Sequence, residues 1–310
     1  MIDVDTFLTT MYVMVDDFCQ LKHLHANHRP GSTASLHCSE VVTLAMFGQW
    51  GQFQSERAFY RSAEQHLRAA FPQLPDRAQF NRLVREHRDA ITAFGLHLVE
   101  SIRAQECPYE VLDSTAAVTR DAKRRGLGWL AGQADIEWSN RIGWYEGFHV
   151  LLSVTPMGGI TGFGFGPAST HDQHLATTLF AARQHSSPHL PSAGLPAHGS
   201  YVADKGEACE RPRQRWQAQR QVDLVTPPHQ RSKRIRWPKA LRRWLAHLRQ
   251  IIETVNDKLL NTFRLARERP HDLTGFQARL AAKVSLHNFC IWFNLHLSRA
   301  PLAFADLLDW

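Results

Sequence analysis

The chain has 310 residues, enough for one large core or two ordinary ones. Lys plus Arg is 36 against 29 Asp plus Glu, and the formal net charge of +7 favours a polyanionic partner such as nucleic acid or anionic lipid. Apolar content of 44% with nine Trp excludes a solvated tail, and no apolar run approaches the roughly 18 residues that a membrane span needs, so lipid is the weaker partner.

The opening MIDVDTFL carries Asp3 and Asp5 where a secretory signal would carry Lys or Arg, and the expectation is a cytoplasmic protein. Cys19, Cys38, Cys107, Cys209 and Cys290 are scattered and never form a C-x-x-C pair, so they read as reduced thiols. His23, His25, His28 and His37 lack acids or cysteines at ligand spacing and read as surface or core histidines.

From Ser39 to about Glu106 the pattern is helical. Ser39 is expected to cap one helix and Ser55 another, and Asp76 with Gln79 forms a capping box before Phe80 to His87. Arg57, Arg61, Arg77, Arg82, Arg85 and Arg88 make this cluster either a DNA-reading module or a bundle with a charged outer face. The pattern changes at Tyr109, where residues 109–112 read as a short buried strand delivering Asp113 at its end. Residues 144–155 and 160–165 then read as a β-hairpin around the turn Met157 to Gly159, although Gly162, Gly164 and Gly166 weaken its second strand.

A helix over 171–184, a Ser/Pro-rich loop over 186–200 and a short strand over 201–203 follow, the last delivering Asp204 as the first strand delivers Asp113. A helix from about Glu207, a strand over 222–226 and a long helix after Pro238 complete an α/β layer architecture, a mixed sheet flanked by helices. The expected division is an N-terminal all-α, DNA-binding segment, 1–106, and a catalytic segment, 107–310. In the last long helix, Leu241, Trp244, Leu245, Leu248, Ile252, Val255, Leu259 and Phe263 form an apolar stripe that should pack on the sheet. Glu253 sits one residue off that stripe, with Arg249 one turn before it.

Two strand-terminal acids and one acid on a flanking helix suit phosphodiester chemistry, because Mg2+ takes hard oxygen ligands and in-line displacement needs charge neutralised at both the attacking and the leaving oxygen. Alone, a strand-terminal Asp is more often a turn or cap residue than a ligand, and it is the joint appearance with Glu253 and a basic tract that favours the site. Between Asp223 and Glu253 no acid occurs, while Arg231, Lys233, Arg234, Arg236, Lys239, Arg242, Arg243 and Arg249 accumulate, a strip that repels itself unless anions sit on it. Trp237 and Trp244 are interleaved; Trp244 falls on the apolar stripe, which leaves Trp237 as the better face for stacking a base. Lys123, Arg124 and Arg125 form a second basic cluster that either grips a phosphate backbone or marks an exposed turn.

Five phrases stand in order: Val-Leu-Asp113-Ser-Thr, Trp-Tyr145-Glu-Gly147-Phe-His149-Val, Pro167-Ala-Ser-Thr-His171-Asp172, Ala-Asp204-Lys205-Gly206 and Arg249-Gln-Ile-Ile-Glu253-Thr. With Gln52 to Tyr60, Phe71 to Arg82 and Leu273 to Leu280, they resemble the bacterial insertion-sequence transposases of the DDE superfamily, most of all the nine-eight-two group. The resemblance implies an RNase H-like core in which Asp113, Asp204 and Glu253 hold Mg2+, with Mn2+ able to substitute, and in which His171, Asp172, Lys205 and Arg249 support the site. It further implies DNA partners, namely terminal inverted repeats and a target, a homodimer in the synaptic complex, and a nucleoid-associated protein with no membrane.

Three features depart from the family pattern. Glu207 follows Gly206 where an aromatic residue is usual, and the loop over 186–200 is longer than usual. Ala246 and Leu260 stand where related transposases carry Tyr seven residues before the glutamate and Lys seven after it. A catalytically silent DNA-binding relic or repressor and an RNase H-like nuclease are the alternative readings of the same residues.

Overall fold

The computed structural model describes residues 1–24, 35–124, 127–128, 130–139, 141–184, 195, 199–204, 210–228 and 237–310. The N-terminal segment is helical: α1 (Val4–Leu21), α2 (Cys38–Phe47), α3 (Glu56–His66), α4 (Arg77–Glu86) and α5 (Arg88–Ser101), preceded by the two-residue strand β1 (Ile2–Asp3). Caps set where these helices begin. The Ser55 hydroxyl accepts from the Ala58 N–H, and the Asp76 carboxylate accepts from the Ala78 and Gln79 N–H groups. Ser39 is not a cap. The helix starts two residues earlier than a Ser39 cap would give, with His37 as the cap and the Glu40 carboxylate accepting from the His37 N–H, and Ser39 is buried inside its first turn.

Among the described residues, six strands form one mixed sheet: β2 (Glu110–Asp121), β3 (Asp135–Ser139), β4 (Gly143–Val154), β5 (Ile160–Pro167), β6 (Gly199–Val202) and β7 (Val222–Val225). β4 is antiparallel to β2, β3 and β5, whereas β6 is parallel to β2 and β7 is parallel to β6. The first strand is longer than the expected 109–112. It runs to Asp121 with a bulge between Val118 and Arg120, so Asp113 lies within the strand and not at its end. The run of Ser, Thr and Ala after Asp113 lacked the apolar alternation that marks a strand, but pairing with β4 on one side supplies its hydrogen bonds.

Helices cover both faces. On one, Leu112, Leu151, Tyr201 and Leu224 pack with Leu175, Leu179 and Phe180 of α6 (Asp172–Gln184) and Trp216 of α7 (Glu210–Arg220). On the other, Val111, Ala117, Phe148, Val150 and Leu152 join Ile252 and Val255 of α8 (Lys239–Asp257) and the long helix α9 (Leu273–His296). That second cluster also contains Phe7, Phe47, Phe94 and other residues of α1 to α5, so the interior runs across residue 106 without a break. The terminal strand β8 (Leu308–Asp309) pairs in parallel with β1.

α9 is buried along most of its length, and its polar residues are staples. The Asn288 amide donates to the Gly95 and Ile160 carbonyls and accepts from the Ile160 N–H, tying α5 and the start of β5 to one side chain. Gly95 has to be glycine, because a Cβ there would overlap the Ser285 hydroxyl. His287, fully buried, hydrogen-bonds through Nε2 to the Gly158 carbonyl at 2.9 Å. Nearby, the buried Glu268 carboxylate meets Arg279 and Lys283, both at 2.7 Å. Burial pushes Glu268 up, but the two cations more than offset this and hold it at about 2.

The apolar stripe of α8 is only partly covered. Leu245, Ile252 and Val255 are buried, and so are Leu259 and Phe263 beyond the helix, whereas Leu241 and Trp244 are exposed. Trp244 is 53% exposed, while Trp237 is half-buried against the main core, the reverse of the expected assignment. The periodicity marks one face of the helix, but the sheet reaches only its later turns.

A buried knot of five residues ties α6 to the sheet. Arg183 donates to both oxygens of Glu110 at 3.0 and 3.1 Å, the Ser153 and Thr161 hydroxyls donate to the same carboxylate, and Arg183 Nε donates to the Leu195 carbonyl. Gly162 gives the guanidinium its room, since a Cβ would lie 3.0 Å from Arg183 Cδ. Arg183→Met, which strands a buried carboxylate, is expected to destabilise the fold by about 3–5 kcal/mol in a urea titration, and adding Glu110→Gln should recover part of that loss. Burial also depresses His287 from 6.5 to about 4. The unfolded chain therefore binds more protons than the folded one between those values, and stability falls as pH drops from 6.5 to 4 by about 3 kcal/mol. His287→Gln, which keeps a donor for Gly158, should flatten that stretch of the stability–pH curve; an unchanged slope would remove His287 as its source.

Candidate active site

The parallel pairing of β2 with β6 places the two aspartates. Glu110 lies beside Tyr201 and Val111 beside Val202, and continuing that register brings Asp113 level with Asp204, which directly follows β6 and Ala203. One cation joins them: Arg249 on α8 lies with its guanidinium 3.7 Å from Asp113 Oδ1 and 3.3 Å from Asp204 Oδ1. The Arg249 Nε is buried without a hydrogen-bond partner. This geometry follows from the later turns of α8 packing on β2, β4 and β6.

Asp172, the first residue of α6, is the third acid that Asp113 feels. Its Oδ1 is buried without a hydrogen-bond partner and lies 3.8 Å from Nδ1 of His149, a ring nitrogen that also meets the Thr170 carbonyl at 3.2 Å. Burial raises the Asp113 carboxyl to about 6; Arg249 and the Ser114 N–H pull it down, and Asp172 and Asp204 push it up. A carboxyl held near 6 among other acids changes its charge with small changes in its surroundings, which is the property of a cation-binding or proton-handling group.

Glu253 stands one turn beyond Arg249 on α8 and is exposed. His171 is exposed, and its carbonyl accepts the first N–H groups of α6. Lys123 and Arg124 are exposed just after β2, and Lys239, Arg242 and Arg243 are exposed on the first turns of α8. Lys205, Arg125, Arg231, Lys233, Arg234 and Arg236 lie outside the described residues. Arg57, Arg61, Arg77 and Arg82 are exposed on α3 and α4, and Arg85 and Arg88 are half-buried.

Among the described residues no group of three or more His, Cys, Asp or Glu side chains is close enough to hold a metal ion together. The donor chemistry nevertheless fits a hard divalent cation. Two carboxylates, one on β2 and one just past the end of β6, share the guanidinium of Arg249, and a third has an unpartnered buried oxygen.

Sequence reasoning missed His149, Glu110 and Arg183. For Arg183 a signal was present, since it continues the series Ala176, Leu179 and Phe180 at helical spacing, a position where only a paired arginine is stable. For His149 the signal was its place in the phrase Trp-Tyr145-Glu-Gly147-Phe-His149-Val, but its partners Thr170 and Asp172 stand more than 20 residues along the chain and no local pattern joins them.

A mixed sheet of antiparallel strands continued by two parallel ones, with helices on both faces and an acid on the central strand, is an RNase H-like α/β architecture. A family model described as the transposase DDE domain matches residues 111–289, more than half of the chain, and the chain belongs to that family. It is thus a transposase, and its substrate is DNA. No curated protein matches the sequence. No described helix is long and apolar enough to cross a membrane.

Arg249→Gln removes the cation that stabilises ionised Asp113. The variant should titrate Asp113 at a higher pH than the wild-type chain, read from the carboxyl carbon chemical shift. A midpoint still near 6 would show that the guanidinium does not act on this group.

Proposed function

We propose that the chain is a transposase of the nine-eight-two group of bacterial insertion sequences, that it cuts DNA at the ends of its element and that it joins those ends to a target. In this reading Asp113, Asp204 and Glu253 hold the divalent ions, Mg2+ or Mn2+. The observation that carries it is the in-register placement of Asp113 and Asp204 around the guanidinium of Arg249.

When bound, the ions supply a Lewis acid at the phosphate and an activated hydroxyl, as in other in-line phosphoryl transfers. The chain's own residues do the rest. Asp113 and Asp204 fix where the reacting phosphate sits, because one stands on β2 and the other just past the end of the neighbouring β6. Arg249 neutralises them while the site is empty of substrate and can turn towards a phosphate oxygen when DNA arrives, which leaves both carboxylates free to ligate. Asp172, with His149 behind it, holds further negative charge beside the site. Glu253, exposed one turn along the same helix as Arg249, is assigned as the third ligand in this reading.

The helices of residues 1–106, with exposed Arg57, Arg61, Arg77 and Arg82, serve as DNA contacts in this reading, as do Lys123, Arg124, Lys239, Arg242 and Arg243. Two element ends handled at once call for a dimer in the synaptic complex.

Asp113→Asn should reduce Mg2+-dependent strand cleavage by on the order of a thousandfold or more while changing end binding less than about threefold, measured by gel cleavage and mobility-shift assays with terminal-repeat DNA. Retained cleavage in that variant would refute the assignment. Hydrolysis by the wild-type chain without any strand joining would identify a nuclease instead, and binding without nicking would identify a silent relic.

A further inference from the structure

The far end of the β2–β4 ribbon carries a feature that the cleavage site does not use. Trp138 on β3 and Trp144 on β4 are direct cross-strand partners, with ring centroids 5.8 Å apart at 66°. They are 52% and 63% exposed, and Ile136 and Ile142 beside them are exposed as well. Soluble chains seldom leave two adjacent indoles in water without a use for them.

The same corner is cationic. A cleft of about 640 Å3 is lined by both tryptophans together with Lys123, Arg141 and Arg269, with Asp121 as the acid among them. Arg269 is fixed in place by donating to the Val118 and Glu268 carbonyls at 3.2 and 2.6 Å. Flat apolar faces inside a ring of cations are what a nucleic acid strand needs, since its bases stack and its phosphates pair. A second copy of this chain is the weaker occupant, because it would set one cationic rim against another. A closed duplex is also a poor fit, because its base faces are hidden within the stack.

We infer that the Trp138–Trp144 corner is a binding site for DNA with unpaired bases. The inference rests on the transposase reading and extends it, adding a contact at a distance from the cleavage site. Asp113 and Asp121 are eight residues apart on β2, about 26 Å, so a strand leaving the aspartates along the ribbon reaches the tryptophans after roughly eight base steps. The site captures the strand that duplex opening exposes and holds it away from the reacting phosphate.

The test compares a blunt duplex with the same duplex carrying a single-stranded tail that contains 2-aminopurine, by anisotropy and by base fluorescence. The wild-type chain should prefer the tailed DNA and quench the 2-aminopurine. Trp138→Ala with Trp144→Ala should weaken tailed-DNA binding on the order of tenfold and abolish the quenching, with blunt-duplex binding unchanged. Phenylalanine at both positions should restore part of both signals, and circular dichroism should show the same fold throughout. Equal binding of both DNAs by wild type and variant would overturn this inference and leave the cleavage assignment standing. Loss of a dimer in sedimentation, with tail binding intact, would reassign the corner to self-association. Failure of the wild-type chain to bind either DNA would overturn both readings, and Asp113→Asn cleavage tests the first one independently.

Discussion

Everything at the site hangs on one desolvated charge pair. Glu110 and Arg183 meet inside the sheet–helix interface, three residues upstream of Asp113, and the Ser153 and Thr161 hydroxyls complete the carboxylate's hydrogen bonds. Neither charge tolerates burial alone, so α6 has one seating on β4 and β5. That seating brings Asp172, at the start of α6, to the neighbourhood of Asp113, and it brings Thr170 and His149 together. The register of β2 against β6, continued two residues, then sets Asp204 beside Asp113.

A rigid frame of this kind answers an electrostatic problem. Burial takes the Asp113 carboxylate out of water and pushes it up to about 6, and the neighbouring Asp172 and Asp204 add a smaller push in the same direction. Arg249 moderates this from the opposite layer. A site that balances acids against one arginine is ready for a polyanion with its counterions, because phosphate attracts the arginine as the metal attracts the carboxylates. Satisfied polar groups hold the rest of the molecule in the same way: Glu268 with Arg279 and Lys283, and Asn288 between α5 and β5, make the N-terminal helices and the sheet one body.

Much of the fold was legible in the sequence because its signals are local. The caps at Ser55 and Asp76, the hairpin around Met157 to Gly159 and the long helix after Pro238 each depend on residues a few positions apart. The errors have a common cause. Ser39 lost its cap to His37 because a neighbouring acid at the right spacing completes a box there, and β2 outran its apolar pattern because a partner strand supplied the hydrogen bonds. Trp237 and Trp244 exchanged roles because periodicity reports a helix face but not how far the covering sheet extends.

The sequence by itself determined the alternation of strands and helices, the acids at the sheet and the cationic character of the chain, since composition and short-range periodicity fix these without reference to distant partners. Only the tertiary structure decided that Arg249 would stand between Asp113 and Asp204, that Arg183 would find Glu110, and that Trp138 and Trp144 would share an exposed corner with Arg269. Such contacts join residues 73 positions apart for Glu110 with Arg183 and 151 apart for Val118 with Arg269. No local pattern encodes them, because packing of the whole chain, and not its covalent order, makes these groups neighbours.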